Sequence, residues 1–133
     1  MDDKPSNFPS NIQLHNYDIS TLFIETRGWM CKLMLDAAQK SGSLVKTYYR
    51  AAYYYIQLFE SSRHMIRKSG KIDDWDNKEK LYMELTQRII NNDFIPEILT
   101  NYWRALCDDI VAAGLYNSAD DDWAKNILKL LGG

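Results

Sequence analysis

Residues 43–71 read SLVKTYYRAAYYYIQLFESSRHMIRKSGK, and their spacing decides the fold. Leu44, Tyr48, Ala52, Tyr55, Phe59 and Ile66 recur at steps of three, four and seven, with Val45 and Ile56 beside them. That is the period of one helix face, not the strict alternation of a strand. No glycine or proline interrupts the pattern before Gly70, the expected C-cap. The opposite, outward side carries Lys46, Arg50, Tyr53, Gln57, His64 and Lys68, with Tyr54 at the boundary. Those seven residues are the candidate binding residues of the chain. The cations match repeated phosphates and the aromatics match unpaired bases, or a protein partner reads the same face.

The helical period continues on both sides. Residues 20–40 predict a helix with Asp18 or Ser20 as N-cap and Gly42 just past its end. Its apolar residues spread over most of the circumference, leaving only Glu25, Lys32, Asp36 and Gln39 as a polar strip. Such a helix is expected at the centre of a bundle or at an interface. Asp76 through Glu79 resembles a capping box and opens a third helix, which is expected to bury Leu81, Tyr82, Leu85 and Ile89. Pro96 and Glu97 favour the first turn of a fourth, burying Leu99, Tyr102, Trp103, Leu106, Ile110 and Ala113 and ending at Gly114. A fifth is expected after Ser118, with Trp123, Ile127, Leu130 and Leu131 as its stripe. The expected fold is an all-α, single-domain bundle of about five helices over residues 18–133, preceded by a flexible arm at 1–17 containing Pro5 and Pro9.

A chain of 133 residues can bury a core without disulfides or metal. Hydrophobic residues make up 46% and charged residues 26%, the balance of an ordinary folded domain. The net charge of −2 conceals a split. Residues 27–71 hold nine basic residues against two acids, a local charge of +7, while residues 72–133 hold six against twelve, or −6. Either a polyanion meets the basic half, or the two halves neutralise each other within one molecule. No apolar run approaches a membrane span, and the acidic start is no secretory signal, so a cytoplasmic protein with reduced thiols is expected and no membrane partner. Cys31 and Cys107 are expected as small buried hydrophobes.

Catalytic and metal signatures are missing from the sequence. Two histidines, no Cys-x-x-Cys and no repeated Glu-x-x-His offer no metal site, and Glu60 with His64 reads as a surface pair. The aspartates at 73, 74 and 76, and those at 120–122, lack the spacing of a calcium loop and suit helix starts. Asp109 lies at the edge of an apolar stripe, as a solvated carboxylate or as a buried acid paired with Arg27 or Arg50. Neither a nucleophile motif nor a phosphate-binding glycine loop occurs. The glycines that end the chain after Leu131 read as a helix stop, not a ubiquitin-like tail. The expected function is therefore a non-enzymatic helical interaction module without cofactor or metal. It binds a protein partner or itself, with a homodimer as the self-associated form. The alternative is a nucleic-acid-associated protein using the basic, tyrosine-rich face.

Overall fold

The computed structural model describes residues 18–116. Within them the fold is all-α, with no strand: α1 (Ile19–Gln39), α2 (Leu44–Ser69), α3 (Trp75–Ile90) and α4 (Pro96–Ala112). The expected N-terminal arm, the fifth helix, the aspartates at 120–122 and the glycine end all lie outside the described residues.

Local chemistry accounts for the boundaries. The Asp18 carboxylate accepts the Thr21 backbone N–H at 2.7 Å and caps α1. Lys40, not Gly42, ends that helix in a left-handed conformation, φ 51°, and the Ser41 N–H then closes on the Asp36 carbonyl at 2.9 Å. Gly70 ends α2 at φ 63°, as its missing Cβ allows. Pro96 opens α4 and Gly114 follows it at φ 78°. The α3 start also departs from expectation. Asp74 occupies the cap position with φ 57° and no side-chain bond to the helix backbone, while its carboxylate accepts the Asn77 amide at 2.8 Å. The cap falls at Asp74, two residues before Asp76, so Glu79 stands past the capping-box position, and two arginines of α2 take its carboxylate.

The central helix is α2, where the sequence points to α1 as central or interfacial. Residues 55–59 are buried one after another, and the small side chains of Ala51 and Ala52 let neighbours approach closely. α1 lies along α2 in the most extensive contact, with α3 and α4 against α2 and α4 also against α1. Leu22, Met30 and Leu33 of α1 meet Tyr48, Tyr55, Leu58, Phe59 and Ile66 of α2 in one core with Leu85, Ile89, Leu99 and Leu106. At about 25 cal/mol per Å² each such side chain contributes roughly 1.5–3 kcal/mol, so the core supplies the main favourable term.

Polar ties fix the helix pairs. The Thr26 hydroxyl donates to the Leu22 carbonyl at 2.5 Å and reaches the Tyr54 carbonyl of α2 at 3.3 Å. Asp36, expected on a solvent strip, is buried. Its Oδ2 accepts from Thr47 Oγ1 at 2.6 Å and Ser43 Oγ at 3.1 Å, with Lys32 Nζ at 3.5 Å. The Thr47 hydroxyl leads in holding the Asp36 carboxyl below its ordinary range. Asp109 is buried at 5% exposure, but its partners come from α3 and not from Arg27 or Arg50: Tyr82 Oη donates at 2.7 Å and Lys78 Nζ at 3.0 Å. Leu81, expected in the core, is 48% exposed. Tyr82, Leu85 and Ile89 fill the inner face of α3, and Leu81 precedes Tyr82 on the outer side.

Candidate interaction surface

The expected binding face of α2 is interrupted. Lys46 and Arg50 are exposed near one end, and His64 and Lys68 near the other. Arg50 and His64 stand about 21 Å apart along the axis at 1.5 Å per residue. Between them Gln57 is completely buried, contrary to its expected outward position. Tyr53 is half-buried against the core and meets Tyr54 edge to face at 5.4 Å, and Tyr54 stacks on Trp29 of α1 at 6.4 Å. A helical wheel assigns one side of α2 to solvent; in the bundle that side is covered midway along its length.

The remaining cations divide. Arg63 Nε donates to Glu79 Oε2 at 2.9 Å, Arg63 Nη1 reaches Glu60 at 3.1 Å, and its guanidinium lies 5.0 Å above the Phe59 ring. Arg67 pairs with Asp76 at 2.6 Å and with Glu79. Burial raises the Glu79 carboxyl, but the bonds and charges of Arg63 and Arg67 outweigh it and hold the group below its ordinary value. Glu60 thus pairs with Arg63 and not with His64. Part of the basic half is neutralised by the acidic half, and Lys46, Arg50 and Lys68 take no ion pair among the described residues.

A different surface stands out on α1. Its inner side is in the core, yet Gly28, Cys31, Leu35 and Ala38 are exposed and Ile24 is half-buried. These five follow steps of four, three, four and three, a seam along one side of the helix. Leu35 is 55% exposed. A shallow depression of about 300 Å³ lies over Gly28, bounded by Ile24, Glu25, Trp29 and Lys32. The wide apolar circumference in the sequence was the signal for this seam; its solvent side emerges only once α2 takes the centre. Cys31, expected to be buried, belongs to the seam, whereas Cys107 is half-buried and its thiol is pushed up to about 12, chiefly by burial. A second cleft of about 360 Å³ runs between α1 and α4, lined by Leu33, Met34, Ala37, Pro96, Glu97 and Thr100.

Among the described residues no three His, Cys, Asp or Glu side chains are grouped to hold a metal ion, and no helix is long and apolar enough to cross a membrane. No protein-family model, curated protein or solved structure matches the chain.

Proposed function

We propose that this chain is a non-enzymatic helical interaction module that presents the outer face of α1 to a protein partner, a second copy included. The observation that carries this reading is Leu35. It sits exposed in an apolar seam on a helix whose other side already has its core partners. Exposed apolar residues scattered singly need no explanation, whereas a row along one helix favours association. The two free cysteines fit a reducing, cytoplasmic setting, which belongs to the same proposal.

The nucleic-acid alternative draws on the same chain less well. It needs Lys46, Arg50, His64 and Lys68 to act together, and the buried Gln57 separates them. Salt-sensitive binding of single-stranded DNA, lost on Arg50→Glu with Lys68→Glu, would restore it. The protein-interaction reading is tested with a benzophenone side chain placed at Leu35, and at Lys46 and Lys68 for comparison. Photolysis with purified protein and with cell extract should give discrete adducts from position 35 above the other two. Adduct yields that are equal at all three positions refute the assignment of the α1 face.

A further inference from the structure

Gly28 occupies the middle of a 21-residue helix, where glycine is about 0.5–1 kcal/mol less favourable than alanine. Nothing inside the described residues calls for it. A Cβ built there meets no heavy atom within 4 Å, and its φ is not positive, unlike those of Gly70 and Gly114. What a missing side chain does supply is close approach by another backbone from outside.

The charges beside Gly28 say which backbone. Glu25 and Lys32 are both exposed, seven residues apart, on the same flank of the seam, and Gly28 lies between them. Glu25 takes no ion pair among the described residues, and Lys32 keeps donors to spare beyond its 3.5 Å contact with Asp36. When a helix pairs with its own copy antiparallel, about a two-fold axis perpendicular to the pair, each flank faces itself. An axis beside Gly28 then sets Glu25 against the partner subunit's Lys32, twice. Moving the axis to residue 32 would set Lys32 on Lys32, so the charges choose the register. At 1.5 Å per residue, Ile24 stands about 7 Å from that axis, between the partner's Cys31 at about 4 Å and the partner's Leu35 at about 10 Å. Large side chains interlock at the ends and glycine lies at the crossing.

From these observations we infer that α1 pairs with α1 of a second copy, antiparallel, with the two-fold axis beside Gly28. This rests on the interaction-module reading and names its partner. One exposed helix face is small for an interface, so the pairing is weak and is read at high concentration.

Sedimentation equilibrium of the full chain up to about 1 mM tests it, with circular dichroism confirming the fold of each variant. Glu25→Lys and Lys32→Glu should each raise the dimer dissociation constant about tenfold or more, and the double exchange should recover most of that loss. Gly28→Ala should weaken the dimer while raising the melting temperature of the dilute monomer, two effects of opposite sign from one methyl group. A monomer throughout the range, or a dimer indifferent to both charge reversals, overturns the pairing. So does rapid formation of a Cys31–Cys31 disulfide, which needs the axis elsewhere. If adducts from position 35 with other proteins persist in a monomeric chain, self-pairing alone is lost. If position 35 also gives no excess adducts, both readings fall.

Discussion

The Tyr82–Asp109 bond between α3 and α4 is the most direct test of how the bundle is held. The Asp109 carboxylate is buried and accepts from Tyr82 Oη at 2.7 Å and Lys78 Nζ at 3.0 Å. Tyr82→Phe removes one hydroxyl and leaves the ring in place. A bond to a charged acceptor contributes about 1.5–3 kcal/mol, and Lys78 still offsets the charge, so a loss of about 1.5–2 kcal/mol is expected. Asp109→Ala strands a buried phenol hydroxyl as well, and should cost about 3 kcal/mol. In Tyr82→Phe/Asp109→Ala that hydroxyl is gone, so the double variant should be hardly less stable than Asp109→Ala alone. The cycle then gives a coupling of about 1–2 kcal/mol. Lys78 is 44% exposed, and its replacement by Met should cost no more than about 1 kcal/mol. Urea unfolding followed by tryptophan fluorescence reads these values, because Trp75 and Trp103 lie on the two helices that are joined. A shift of about 1 M in midpoint with unchanged slope is the expected size for Tyr82→Phe. Additivity within about 0.3 kcal/mol would show that the two groups do not share a bond, and the α3–α4 contact would need another origin.

Glu79→Gln should destabilise by about 1–3 kcal/mol, discounted for the half-exposed Arg67. The Glu79 carboxyl is held below its ordinary 4.5, so its contribution is complete above that pH and fades as pH falls through the folded value. Urea midpoints of the wild type and Glu79→Gln should therefore converge in acid, and a constant difference down to pH 3 refutes the pairing. At alkaline pH the sign reverses for the tyrosines. Burial pushes Tyr48 up to about 12 and also raises Tyr55 and Tyr82, with the Asp109 carboxylate adding to the rise at Tyr82, so these phenols stabilise the fold below about pH 10 and that contribution is lost as pH rises. Absorbance at 295 nm should show several tyrosines ionising only with unfolding; nine normal titrations would contradict the core. Cys31 should react with a thiol reagent at pH 8 at least about 100-fold faster than the half-buried Cys107, and equal rates would contradict the placement of α1.

Helix ends were legible where a single residue decides them. Asp18, Gly70, Pro96 and Gly114 act through their own side-chain or backbone chemistry, and the sequence shows them directly. What it hides is which neighbour covers a given side. α1 has more apolar circumference than α2, yet α2 is surrounded, because a periodicity reports how much of a helix is apolar and not what meets it. For the same reason Gln57 looked outward, Leu81 looked inward and Cys31 looked buried. Glu79 and Asp109 keep their partners hidden in the sequence for a second reason. Each is a common surface residue whose role depends on partners 12–31 positions away, Arg67 and Lys78, brought close only by the packing of the helices. Of the seven candidate residues, Lys46, Arg50, His64 and Lys68 are exposed, while the aromatic and amide members were drawn into the bundle.

The Asp36–Thr47 bond joins residues only 11 positions apart. A segment that short closes in about 10–100 ns, at a small entropic cost. The contact between Arg104 and Met34 must instead bridge 70 positions. Arg67 and Asp76 are closer in sequence than Asp36 and Thr47, nine positions apart, so closure speed does not rank the α1–α2 pairing above the α2–α3 one, and only the order of synthesis separates them. On a ribosome adding roughly 5–20 residues per second, the α1–α2 hairpin emerges before α3. For roughly 1–5 s Phe59 waits without the Tyr82 ring that later packs against it. That interval, when a formed hairpin carries an uncovered core face, is when the nascent chain is most open to sticking to its neighbours.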